Sequence, residues 1–200
     1  MPQELYAYSR WAHTPLPDAL EVSIVFDVSS PLNIADADSD VLFPSEAEPL
    51  TEEEYSKLKR MALRSAEDFY QLYLAIPYKD HPLAFQRKTF YGQIPCTAKA
   101  IYQHTKNVNS YYFGEIGVEA DNNGTIHECR LRGFQALESM PDYLLSKQMN
   151  GSFDEVWSVR KVLRRFIWHD RIHAKAMYRR SIAVFGPGSV PDIFSFEQKK

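Results

Sequence analysis

The chain has 200 residues, and its 23 Lys and Arg against 26 Asp and Glu leave a net charge of −3. A chain of this length predicts one main globular unit whose core needs no disulfide or structural metal. The slight acidic excess supplies no general attraction to polyanions, so we expect neither nucleic acid nor a membrane as a partner. An apolar content of 44% with only 8 Gly and 12 Pro excludes a disordered or fibrous chain.

The cysteines and the hydropathy pattern favour a cytoplasmic protein with reduced thiols. Cys96 and Cys129 are too few for a disulfide framework, and neither belongs to a Cys-x-x-Cys pair. No apolar run approaches the roughly 18 residues that a membrane span needs. The first residues also do not combine the basic and apolar segments of a secretion signal.

Residues 1–49 predict an N-terminal arm and connector with one strand. Residues 20–28 are rich in β-branched side chains and partly alternate, which is typical of a strand or an extended arm. Prolines on either side and an acidic stretch at 36–48 indicate a connector. One strand cannot form a stable sheet alone. We therefore expect this segment to pack on helices, to meet a short partner strand or to join another subunit.

Residues 50–186 predict four helices. Thr51 and Glu54 have the spacing of a capping box, which predicts a first helix over about 52–75, and the following prolines predict a loop over 76–95. Thr97 is a suitable N-cap for a second helix that ends near residue 117. The first helix is expected to bury Leu58, Met61, Ala62, Ser65, Phe69, Leu72 and Leu74. The second is expected to turn Ile101, His104, Val108 and Tyr111 inward.

The third and fourth helices complete the predicted bundle. The third covers about 126–139 and ends before Pro141, with Leu131, Phe134, Leu137 and Met140 as its apolar side. The fourth is predicted to begin at a capping box of Ser152 and Glu155, to end at Gly186, and to be followed by a C-terminal tail over 187–200. Its inward face should contain Val159, Val162, Phe166, His169, His173 and Met177. Four helices and one arm predict an all-α protein built as a four-helix bundle.

Three histidines on these helices have the pattern of a metal site. His169 and His173 are four residues apart, so a helix places both imidazoles on one face, where they can bind one metal ion. His104 can supply a third ligand because it shares the stripe predicted to point inward from the second helix. Three such ligands would leave coordination positions open to water or substrate, as catalytic metal sites do.

Asp170 admits two interpretations. It precedes His173 by three residues, so it could accept a hydrogen bond from that imidazole as an outer partner of the metal, or it could form an exposed salt bridge. It also stands directly after His169, where zincin proteases carry a Glu that acts as general base. The sequence therefore does not support proteolysis of that kind.

Two segments resemble the DinB/YfiT-like superfamily of four-helix bundles. They are Thr97-Ala-Lys-Ala-Ile-Tyr-Gln-His-Thr-Lys-Asn-Val-Asn109 and the run from Trp157 to His173, and the resemblance covers about residues 50–185. It implies an up-down-down-up bundle with one histidine on the second helix and a His-x-x-x-His pair on the fourth, which match His104, His169 and His173. It also implies a bound divalent ion, zinc or nickel above all, and a homodimer.

The same resemblance suggests a class of reaction. Characterised relatives include bacillithiol transferases and mycothiol-dependent maleylpyruvate isomerase, so a low-molecular-weight thiol activated by the ion is implied, attacking a small electrophilic substrate. Transfer is the leading reaction class and hydrolysis with activated water is the second. Some longer relatives carry a HicB-like domain before the bundle, and nothing of it is evident in residues 1–49.

Three hypotheses follow from the sequence. The first is a metal-dependent enzyme of the DinB-like kind. The second is a non-catalytic bundle that serves as a dimerisation or partner-binding module, through the segment at 20–28. The third is a purely structural bundle, in which carbonyls or other side chains hydrogen-bond the three imidazoles.

The remaining candidate residues are weaker. His13, His81 and His127 lie in predicted loops or beside a proline, so we expect them to be exposed rather than to bind metal, and Cys96 has no nearby base. Eight basic residues lie along the predicted fourth helix, and most of them are expected to form a solvated face. Some could instead receive the carboxylate of a substrate or of a thiol cofactor near the metal. These residues are Arg160, Lys161, Arg164, Arg165, Arg171, Lys175, Arg179 and Arg180.

Overall fold

A computed structural model describes residues 2–17, 19–27, 29, 41–83, 88–89 and 92–197. Within these ranges the chain is mostly helical, as predicted. The α-helices are α1 (Pro2–Ala12), α2 (Glu52–Ala75), α3 (Ala98–Gly114), α4 (Ile126–Glu138) and α5 (Val159–Phe185). Two antiparallel hairpins of two-residue strands pair β1 (Lys88–Thr89) with β2 (Gly92–Gln93) and β3 (Met149–Asn150) with β4 (Val156–Trp157). None of the helices in the described ranges is long and apolar enough to cross a membrane.

Local capping explains where α2, α3 and α4 begin. The Thr51 hydroxyl accepts a hydrogen bond from the Glu54 backbone N–H at 3.2 Å, and the Glu54 carboxylate accepts one from the Thr51 N–H at 2.9 Å. Thr125 and Glu128 repeat this capping box at the start of α4, and the Thr97 hydroxyl caps α3. These caps satisfy N–H groups that have no partner inside the helix. The predicted bounds of the three helices are therefore confirmed to within a few residues.

The predicted start of the last helix is wrong. Ser152–Asp154 form a short 3-10 turn, and both Phe153 and Asp154 have positive φ values, which a continuous right-handed helix does not allow. The Glu155 carboxylate lies 3.6 Å from the Lys161 ammonium, beyond the actual start of the helix. The N-cap of α5 is Ser158, whose hydroxyl accepts from the Lys161 N–H at 3.1 Å. The end at Gly186 is confirmed.

The four longer helices pack around one core. α2 contacts α3, α4 and α5, and α3 also contacts α4 and α5. The buried ring of Phe113 on α3 lies 5.3 Å from that of Phe134 on α4 and 5.1 Å from that of Phe166 on α5, centroid to centroid. Gly133 permits this close approach of α3 and α4, because a Cβ atom there would lie 2.1 Å from the Phe113 ring.

Several predicted inward residues lie at the edge of the core. On α3 the buried face is centred one residue further along than predicted, because this helix packs against α2, α4 and α5 at once. His104 is consequently exposed and Val108 and Tyr111 are half-buried. Leu74 in the last turn of α2 and Met140 beyond the end of α4 are exposed. The residues that α3 does bury are Ala98, Ile101, Tyr102, Thr105, Asn109, Tyr112 and Phe113.

The two ends of the chain also differ from the prediction. The first residues form α1 rather than an arm, and Trp11 is only 1% exposed. Its indole N–H donates to Asp68 at 2.7 Å and its ring stacks on Phe194 at 5.3 Å, so the predicted C-terminal tail is packed against α1 as far as residue 197. Residues 20–27 have no regular secondary structure and are mostly exposed, because no strand in the described chain pairs with them. Residue 28 lies outside the described residues.

Candidate metal centre

The packing of α3 against α5 brings three histidines together, as predicted. His104, His169 and His173 each offer one ring nitrogen, and these three nitrogens lie within 4.8 Å of one another. The Nε2 atoms of His169 and His173 are 3.0 Å apart. His104 completes the group from the exposed rim, with its ring centroid 5.3 Å from that of His169 and 4.7 Å from that of His173.

Burial keeps the two α5 imidazoles neutral at neutral pH. Desolvation, with the neighbouring imidazoles and cations, holds the pKa of His169 well below its usual value. Desolvation, His104 and the cations Arg180 and Arg165 lower the pKa of His173 to about 3. A neutral imidazole has a free lone pair, which is the form that binds a metal ion.

The hydrogen bonding of the cluster suits a metal ion better than a structural role. The buried Nδ1 of His169 has no hydrogen-bond partner among the described residues, and its Nε2 meets only another imidazole. Two nitrogens bound tetrahedrally to one zinc at about 2.0–2.1 Å would lie roughly 3.4 Å apart, close to the 3.0 Å separation here. The structural hypothesis expects carbonyl or side-chain partners for these nitrogens, and within the described ranges the cluster has only the bond between the two imidazoles.

Both interpretations of Asp170 are wrong. Its side chain is fully buried, and it forms an ion pair with Arg130 of α4, whose second guanidinium nitrogen donates at 3.1 Å. The helix therefore turns this carboxylate away from His173 and into the contact with α2 and α4. Burial raises the pKa of Asp170, while the charge and the hydrogen bonds of Arg130 oppose that rise. Arg130 also donates to the carbonyl oxygen of Ala62 at 3.2 Å, so the pair links α2, α4 and α5 directly behind the histidines.

A cleft opens beside His173. It has a volume of about 180 Å³, and its walls come from the segment before α3, from Ile101 of α3 and from α5. The α5 residues in its walls are Ile172, His173, Ala176 and Arg180. From the sequence, Ile172, Ala176 and Arg180 were not grouped with the histidines. Their helical spacing from His169 and His173 is the signal that could have identified them.

The basic row on α5 is mostly not a solvated face. Lys161 is fully buried, and its ammonium donates to the Val156 carbonyl at 2.8 Å. Arg179 and Arg180 have no hydrogen bond or ion pair within the described chain. The six basic residues that do have polar partners are Arg160, Lys161, Arg164, Arg165, Arg171 and Lys175.

The other candidate residues lie outside the cluster. His13 and His81 are exposed, as expected, and His127 is half-buried. Cys129 is buried, which raises the pKa of its thiol, and Cys96 is half-buried; both are free.

Comparison with known proteins adds no relative. A scan against models of protein families gave no match, and searches of the curated proteins and of the solved structures gave none either.

Proposed function

We propose that this chain is a divalent-metal-dependent enzyme in which His104, His169 and His173 hold one ion. The observation that carries the proposal is the convergence of three ring nitrogens within 4.8 Å from two helices. Two of these imidazoles are neutral because they are buried. Among the described residues their nitrogens have no carbonyl partner that would account for a purely structural role. The chemistry of the donor set suits zinc or nickel.

The fold is proposed to be the DinB-like up-down-down-up bundle. Four packed helices support this, and so does the place of the histidines on the second and the fourth of them. Under this proposal α1 is an addition that precedes the bundle.

The proposed reaction is transfer of a low-molecular-weight thiol to a small electrophile, with hydrolysis as the second possibility. A bound ion would lower the pKa of a coordinated thiol or water, so that the deprotonated nucleophile is available at neutral pH. The protein's own contribution is to hold the neutral imidazoles in place with the buried core behind them. The cleft beside His173 gives a small substrate access to the cluster from one side.

Metal content tests this proposal. Protein purified without a histidine tag should contain about one ion per chain, or bind one on titration with zinc or nickel. His104→Ala and His173→Ala should weaken that binding by more than the 10–100-fold typical of losing an outer partner. His81→Ala removes an exposed imidazole outside the cluster and should bind metal like the wild type. A wild-type chain that binds neither zinc, nickel nor iron would contradict the proposal.

A second candidate function is a dimerisation or partner-binding module. One observation favours it: Ile24 and Val25 are 80% and 92% exposed, in a segment with no regular structure. We expect sedimentation equilibrium to show a homodimer that Ile24→Asp with Val25→Asp dissociates. Wild-type protein that remains monomeric at high concentration would exclude this role for the segment in self-association.

A further inference from the structure

The cleft beside the histidine cluster is apolar apart from two side chains. Ile101, which is 1% exposed, belongs to its wall from α3, and Ile94 and Pro95 add the segment that leads into that helix. The polar side chains that line it are His173 and Arg180. Its volume of about 180 Å³ lies below the roughly 300–1,000 Å³ of clefts for drug-sized ligands, so it suits a small molecule.

Arg180 lies on the same face of α5 as His173. The two residues are seven apart, which is about two turns, and Ala176 lies between them. The methyl side chain of Ala176 leaves open the space that a larger residue would fill. The cleft is therefore lined by both a guanidinium and one imidazole of the histidine cluster.

Arg180 differs from most of the other cations on α5. It is half-buried, and no hydrogen bond or ion pair engages it among the described residues, whereas six other cations of α5 have polar partners. The charged groups that act on neighbouring His173 are Arg180 and Arg165, both cations. A guanidinium without a partner, beside an apolar wall, is a favourable site for a carboxylate.

We propose that this cleft binds a small organic carboxylate, with the carboxylate on Arg180 and its other end at the histidine cluster. A phosphate is less suitable, because it carries up to two negative charges and three acceptor oxygens, whereas one guanidinium has a single charge and presents its fork to two oxygens. This inference deepens the proposed function. The placement of the ligand's other end at the histidine cluster rests on that function. What the inference adds is that the thiol or the electrophile carries a carboxylate.

The test compares two thiols that differ only in the carboxylate. Cobalt-loaded protein is titrated with 3-mercaptopropionate and with 1-propanethiol, and binding is followed through the sulfur-to-cobalt absorption and by calorimetry. We expect 3-mercaptopropionate to bind about 10–100-fold more tightly, as charge-assisted hydrogen bonds do. Arg180→Gln should bring the ratio of the two affinities near one with cobalt content unchanged. Arg179→Gln, one residue away and exposed, should keep the wild-type ratio.

The ratio separates recognition of the carboxylate from metal binding. A wild-type ratio near one, or an unchanged ratio in Arg180→Gln, would overturn the inference even if cobalt is bound. If neither cobalt nor zinc, nickel or iron is bound, the proposed function fails, and calorimetry of the metal-free protein with butyrate and 1-butanol decides the inference alone. A preference for butyrate that Arg180→Gln abolishes would then support the carboxylate site, and its absence would overturn it.

Discussion

His169 and His173 combine close contact with burial. Their nitrogens face each other at 3.0 Å, and burial lowers the pKa of each side chain below its usual value near 6.5. The unfolded chain binds protons at these histidines from about pH 6.5 downward, whereas the folded chain does not until its much lower pKa is reached. The unfolded state therefore takes up more protons over this range, and acid favours unfolding.

The metal-free protein should consequently lose stability between pH 6.5 and about pH 4. Each histidine should contribute up to about 1.4 kcal/mol per pH unit to the fall in the free energy of unfolding. The measurement is urea unfolding at a series of pH values. His173→Gln removes one of the two groups and should flatten the slope, while His81→Gln should leave it unchanged. Equal slopes in the wild type and His173→Gln would contradict the assigned shift.

The buried ion pair of Arg130 and Asp170 is the second feature at the residue scale, and Asp170 directly follows His169 on α5. Both side chains are fully buried, so each needs the other to compensate its charge. Asp170→Asn should lower the free energy of unfolding by about 3–5 kcal/mol, since it leaves a buried guanidinium unpaired. The double variant Arg130→Met with Asp170→Leu should recover most of that loss.

A surface pair between α4 and the loop that precedes it is the matched control. Arg132 and Asp121 are both more than 40% exposed, so Asp121→Asn should change stability far less than Asp170→Asn. Urea unfolding of the wild type and these three variants checks the prediction. A comparable loss in Asp121→Asn and Asp170→Asn would show that burial does not make the difference.

At the level of elements, α5 begins later than its sequence pattern indicates. Ser158 is fully buried, and its hydroxyl caps the helix through the Lys161 N–H. Ser158→Ala should destabilise the protein by about 1 kcal/mol, as the loss of an N-cap does. Ser152→Ala should be nearly neutral, because the hydrogen bonds of Ser152 in the described chain involve its backbone: its N–H donates to Glu115 at 2.7 Å, and its carbonyl accepts from the Glu155 N–H at 3.2 Å. Thermal or urea unfolding that shows the larger loss in Ser152→Ala would restore the capping box.

At the scale of the whole molecule, the two ends of the chain close over α2 and α5. Trp11 of α1 stacks on Phe194, and Arg171 of α5 donates to the Phe194 carbonyl at 3.1 Å. Trp11→Ala should lower the free energy of unfolding by about 3–5 kcal/mol, as the removal of a buried aromatic side chain does. Leu5→Ala on the same helix, at a side chain that is 40% exposed, should cost much less. Equal losses would mean that α1 does not pack as described.

Short-range chemistry explains how much could be predicted from the sequence. Caps at Thr51 and Thr97 satisfy backbone groups within three residues, so the starts of α2 and α3 follow from local sequence alone. The four-residue spacing of His169 and His173 places them on one face of α5 in any helical context. The histidine cluster was therefore predictable from sequence as a set of residue types on facing helices.

Long-range packing decided the rest. A helical pattern does not indicate which neighbour covers each face, so the burial of Asp170 against Arg130 and the exposure of His104 follow only from how α3, α4 and α5 meet. The same holds for α1, because its Trp11 stacks on Phe194, which is far away in the sequence. Arg180 was one of eight cations on the predicted fourth helix, and only the tertiary structure places it in a cleft without a polar partner among the described residues. Partners that are distant in sequence are chosen by the packing of whole elements, because burial free energy depends on the surfaces that meet and not on local order along the chain.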